Sequence, residues 1–123
     1  MEKKILVVDD DSDIAELVKL VLETENFSVK TVLDSSIAVD SAKEYQPDLI
    51  LLDITMPGID GWEIFKRLRK DKVLKKIPIA IFSAKSEEFD TMIGLHVMKA
   101  DAYITKPFGK QELIDKVSGL VAK

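Results

Sequence analysis

The chain has 123 residues, 46% hydrophobic and 33% charged, with no cysteine and a formal net charge of -4. That length suits one compact domain over residues 1–123, which buries roughly two thirds of its unfolded surface without disulfides or a structural metal. The composition excludes a disulfide framework and a thiolate metal site, and fits a reducing compartment with the cytoplasm as default. The charge balance argues against direct nucleic-acid binding, and no apolar stretch approaches the roughly 18 residues of a membrane span.

Along the chain, apolar strand-like runs alternate with amphipathic helical stretches, the pattern of a parallel sheet covered on both faces. The first strand is predicted over about Lys4 to Val8 and ends in Asp9-Asp10-Asp11. Ile14, Leu17, Val18, Val21 and Leu22 then recur at helical spacing behind a capping box of Asp13 and Glu16. A second strand over Ser28 to Val32 leads to a helix starting near Ser35 or Ser36, with Ala38, Val39 and Ala42 inward. The third strand, Leu49 to Leu52, is wholly apolar and delivers Asp53 to its carboxyl end, where open α/β sheets place their ligands. A Pro57-Gly58 turn follows, and a third helix begins at Asp60, with Glu63 completing a capping box and Ile64, Phe65 and Leu68 facing the sheet. The fourth strand, Ile79 to Phe82, ends in Ser83-Ala84, and a fourth helix is expected over about Glu87 to Met98. The fifth strand, Ala102 to Ile104, leads to Lys106-Pro107, where proline raises the chance of a cis peptide. The last helix carries Leu113, Ile114, Val117, Leu120 and Val121.

Four strand ends thus bring carboxylates, a hydroxyl and an ammonium to one rim. Asp9, Asp10 and Asp53 together invite a hard divalent cation. Lys106 is placed to pair with an anion on Asp53. Singly, each residue has a plainer reading. The aspartate run caps a helix, Asp53 belongs to a turn, Ser83 bonds to backbone and Lys106 is a surface lysine. Their coincidence at successive strand ends carries the functional reading. Elsewhere, His96 reads as packing and Trp62 as a half-exposed packing residue. The basic run from Lys66 to Lys76 reads as a solvated helix end. Phe89 to Met98 is richer in large apolar residues than one buried stripe requires, which leaves room for a partner-binding patch.

These motifs, Val7-Val8-Asp9-Asp10, Leu51-Leu52-Asp53-Ile54-Thr55-Met56-Pro57-Gly58-Ile59-Asp60-Gly61, Phe82-Ser83-Ala84 and Tyr103-Ile104-Thr105-Lys106-Pro107-Phe108, cover essentially the whole chain. In that order the chain resembles a response-regulator receiver domain of two-component signalling, similar to the chemotaxis regulator fold. The resemblance implies a doubly wound, flavodoxin-like α/β fold: a five-stranded parallel sheet in the order 2-1-3-4-5. It implies that Asp53 accepts a phosphoryl group from a phosphohistidine on a sensor histidine kinase or histidine phosphotransfer protein. By the same likeness Asp9 and Asp10 hold Mg2+ with Asp53 and the backbone carbonyl of Thr55, and Ser83 and Lys106 receive the phosphoryl oxygens. Ser83 and Tyr103 then relay the change to a downstream effector at the face formed by the fourth helix, fifth strand and fifth helix. Such a protein phosphorylates and dephosphorylates itself but acts as a switch, either stand-alone or as part of a larger regulator. Thr55 and Lys85 stand where the family tunes the phosphoryl lifetime. Lys99 departs from the pattern: the family often has glycine there, and a left-handed residue of another type costs about 1 kcal/mol.

Two other classes fit the sequence less well. Haloacid dehalogenase-like phosphatases also use an aspartate after the first strand, but their pattern calls for Thr or Val where Asp13 stands, and the chain is short for them. A flavin or nucleotide binder lacks its phosphate loop here, and three aspartates in that place repel a phosphate unless a cation intervenes.

Overall fold

Leu49–Leu52 buries all four side chains, and Lys4–Val8 buries every residue after Lys4. Runs so uniformly buried belong inside a sheet covered on both faces. The computed structural model describes residues 2–54, 61–83 and 99–121, and of Ser83 the backbone alone. Its strands are β1 (Lys4–Val8), β2 (Ser28–Val32), β3 (Leu49–Leu52), β4 (Ile79–Ser83) and β5 (Ala102–Thr105). All pair in parallel, in the order β2-β1-β3-β4-β5, as the sequence implies.

Alternation along the strands builds two cores. On one face Leu6, Val8, Ile50, Leu52 and Ile81 meet Ala38 and Ala42 of helix α2 (Ala38–Tyr45) and Phe65 and Leu68 of helix α3 (Gly61–Lys70). On the other, Ile5, Val7, Leu51, Phe82 and Ile104 meet Val18 and Leu22 of helix α1 (Ser12–Glu23) and Leu113 and Val117 of the C-terminal helix (Lys110–Val121). No helix among the described residues is long and apolar enough to cross a membrane.

Several local expectations need correction. Helix α1 is capped by Asp11, not by an Asp13–Glu16 box: the Asp11 side chain accepts the N–H groups of Asp13 and Ile14 at 3.0 and 3.3 Å. Asp11 is the residue still extended as the chain leaves β1, and a cap needs that backbone. The buried stripe of α1 is Ala15, Val18 and Leu22, so Leu17, one residue from the stripe's centre and about 100° around the helix, is 48% exposed. The second helical segment opens as a 3-10 turn, Ser35–Ile37, capped by Asp34, before α2 begins. Strands β4 and β5 each run one residue further than expected, because Ser83 and Thr105 pair with each other. The Lys106–Pro107 peptide is cis, and Lys99 is left-handed with φ 61°. The Pro57-Gly58 turn, the Asp60 cap and the fourth helix lie outside the described residues.

Candidate functional site

The strand ladder itself fixes the two buried acids. The Asp9 N–H donates to the Val32 carbonyl at 3.0 Å and the Asp53 N–H to the Val8 carbonyl at 2.9 Å. Each residue therefore continues the ladder one step past its strand, and its side chain inherits the rigidity of the sheet. Asp9 is fully buried, Asp53 is 3% exposed and Asp10 is exposed. Oxygens of these three carboxylates lie within 4.8 Å of one another.

Lys106, at the end of β5, reaches across the rim. Its Nζ donates to Asp9 Oδ2 at 2.6 Å and to Asp53 Oδ2 at 3.1 Å. It also lies 4.6 Å from the Phe82 ring centroid, within cation–π range. Burial pushes the Asp9 carboxyl above its ordinary value; the Lys106 ammonium and the Asp11 N–H oppose this without overcoming it, and the charge on Asp53 adds little. Burial, rather than repulsion among the acids, is the larger cause. For Lys106, burial pulls downward, but hydrogen bonds and charge from Asp9 and Asp53 outweigh it and hold the ammonium above its ordinary value.

The donor set fits a hard divalent cation. It offers carboxylate oxygens only, and the exposed Asp10 leaves one side open, as suits an ion that keeps several waters. Among the described residues, one ammonium against three carboxylates leaves the rim negative, so a cation there relieves charge rather than adding to it.

Of the remaining sequence candidates, Ser83 ends β4 beside Thr105, at the same rim by its backbone register. Tyr103 is buried in the core on the α2 and α3 face, and its carbonyl accepts from Lys116 Nζ at 2.9 Å. Trp62 is half-buried and packs edge-on to Phe65, centroids 5.8 Å apart. Thr55, Lys85 and His96 lie outside the described residues. Sequence reasoning quoted Gly61 within a motif but missed its role. A Cβ there would stand 2.3 Å from the Ile54 Cα and 3.0 Å from the Asp53 carbonyl oxygen. Only glycine lets α3 approach the backbone that carries Asp53 so closely. The signal was in the motif, but close approach of two backbone segments has no local sequence signature.

Residues 5–118 match the family described as Response regulator receiver domain. The Alkaline phosphatase synthesis transcriptional regulatory protein PhoP of Bacillus subtilis (strain 168) is 42% identical over 123 residues, all of this chain and 50% of that protein. The chain thus spans about half the length of the curated relative it matches. A putative response regulator from Chloroflexus aurantiacus J-10-fl has the same fold, with a TM-score of 0.92 at 31% identity over 100% of both chains. The receiver domain of the Francisella response regulator 1452 gives 0.89 at 33% identity over 98% of each. The chain belongs to the response regulator receiver domain family of two-component signalling.

Proposed function

We propose that residues 1–123 form one receiver domain in which Asp53 is the phosphoryl acceptor. The observation that carries this is the convergence of Asp53 with Asp9, Asp10 and Lys106 on one rim, the carboxylate oxygens within 4.8 Å and the ammonium 3.1 Å from Asp53. Phosphoryl transfer spreads charge over equatorial oxygens, so the protein's task is positioning and neutralisation. Asp53 supplies the attacking carboxylate oxygen, and the phosphoryl–histidine bond of a partner kinase or phosphotransfer protein breaks as the new bond to Asp53 forms. Asp9, Asp10 and Asp53, with the Thr55 carbonyl, would hold Mg2+, which when bound would neutralise oxygen charge on the entering group. Lys106 turns from its carboxylate partners toward a phosphoryl oxygen, and the Ser83 hydroxyl takes another.

The added group brings close to two negative charges and strong acceptors. Ser83 and Tyr103 relay that change to an effector at the face of the fourth helix, β5 and the C-terminal helix. The cysteine-free sequence suits a reducing, cytoplasmic setting. Intact mass after incubation with Mg2+ and acetyl phosphate tests the reading. A labile phosphoryl adduct that needs Mg2+ and is missing in Asp53→Asn is expected, and an adduct that survives that substitution overturns it.

A further inference from the structure

Three described residues other than glycine have positive φ: Asn26 at 66°, Gln46 at 51° and Lys99 at 61°. Asparagine tolerates this region locally. Gln46 closes α2 directly, its N–H donating to the Ala42 carbonyl at 2.8 Å, as a left-handed helix cap does. At Lys99, among the described residues, a hold comes from another element. Arg69, in the last turn of α3, donates from Nη2 to the Lys99 carbonyl at 3.2 Å and to Asp101 Oδ2 at 2.7 Å. Its Nη1 donates to the Ile77 carbonyl at 3.2 Å, and its guanidinium lies 5.1 Å from the Phe65 ring centroid. Asp101 Oδ2 also accepts the Ile79 N–H at 2.8 Å, while the Asp101 N–H donates to the Ile79 carbonyl at 2.9 Å. One planar fork therefore ties α3 to the residues entering β4 and to those entering β5, which a lysine's single ammonium cannot do.

Strand β5 is the edge of the sheet, paired only with β4. It has four residues, carries Tyr103 and ends one residue before Lys106. We infer that Arg69 is a positioning residue: it pins the left-handed backbone at Lys99 and so fixes where the edge strand β5 enters the sheet, and with it the reach of Lys106 to the rim. This goes beyond the phosphoryl reading and does not depend on it.

Amide hydrogen exchange on the whole chain tests the pin, with the Lys106 side-chain nitrogen resonance as a second readout. A left-handed residue other than glycine costs roughly 1–2 kcal/mol, which converts to about tenfold in an opening equilibrium. In Arg69→Gln the amides of Asp101 and β5 exchange about tenfold faster while those of β1 and β3 keep their rates, and the Lys106 resonance shifts. Adding Lys99→Gly restores most of both changes, whereas Arg69→Lys does not substitute for arginine. Lys99→Gly alone, which removes no contact of the arginine, slows exchange at the same amides. Equal acceleration in every strand, no acceleration, or a double variant no better than Arg69→Gln overturns the inference. None of these readouts involves phosphoryl transfer, so they stand apart from the Asp53 test.

Discussion

At the carboxyl ends of the strands two buried carboxylates share one ammonium, whereas at the amino ends each carboxylate closes a backbone account of its own. Asp48 Oδ2 accepts the Lys4 N–H at 2.8 Å, and Asp101 Oδ2 accepts the Ile79 N–H together with Arg69. Both ends use the same residue types on the same sheet. At the amino end the charges complete hydrogen bonds that the strands leave open, and the result is a tie. At the carboxyl end Asp9 also accepts the Asp11 N–H at 3.0 Å, but there Lys106 bridges Asp9 and Asp53 with Asp10 close by, so negative charge is concentrated rather than tied off strand by strand.

The largest expected effect follows from removing Lys106, the single cation at the rim among the described residues. Lys106→Met leaves Asp9 and Asp53 buried without their ammonium, and should cost about 3 kcal/mol in urea unfolding at neutral pH with chelator. A loss below about 1 kcal/mol would break the contrast between the two ends. The same pair has a pH signature. Because the folded-state pKa of Lys106 is raised, its contribution is fully present below its ordinary value of 10.5 and is lost as pH rises through the folded value. The gap between wild type and Lys106→Met should therefore narrow in alkaline titration. Asp9 has the same sign at lower pH. Its carboxyl pKa is raised above 3.8, so in chelator stability falls as pH climbs from there through the folded value.

Gly61→Ala should cost about 2 kcal/mol, the price of forcing a Cβ against well-packed backbone. The strain should register in amide shifts at Asp53 and Ile54, whose atoms lie 2.3 to 3.0 Å from the added group. Gly119 is the counterexample at the far end of the chain. It sits within the C-terminal helix with nothing within 4 Å of an added Cβ. There alanine should raise stability by about 0.5 kcal/mol, and a loss in thermal melts would show that space alone does not explain the difference. The smallest effect is expected from Asp10→Asn, which relieves repulsion at an exposed position. It should raise the unfolding free energy in chelator by about 0.3 kcal/mol, and a lowered value would mean that Asp10 has a structural role.

Most of the sheet was legible because its strands are short and the inner ones, β1 and β3, are almost wholly apolar and followed by chemistry-bearing residues. Leu49 to Leu52 with Asp53, and Lys4 to Val8 with Asp9, needed no tertiary information beyond that pattern. The first helix was harder. Asp11 and Asp13 both qualify as caps, and only the direction in which the chain leaves β1 chooses between them. Site membership was legible for Asp9, Asp10, Asp53 and Lys106, since each terminates a strand on the same rim. What held Lys106 was not, because the Phe82 ring and two carboxylates reach it from separate strands. Arg69 was hidden inside a basic run that otherwise is exposed. Its neighbours Lys66 and Lys70 face solvent, and nothing local distinguishes the one cation that turns toward Asp101.

The contrast between the two ends rests on surplus negative charge at the rim, and Mg2+ is the probe that reads it. The unfolding midpoint should be measured in chelator and then across a Mg2+ series, for wild type and Asp53→Asn. Wild type should gain stability steadily, by about 2.7 kcal/mol once Mg2+ reaches a hundred times its Kd, and Asp53→Asn should gain less at each concentration. A wild-type midpoint that does not move at any Mg2+ concentration would contradict the account.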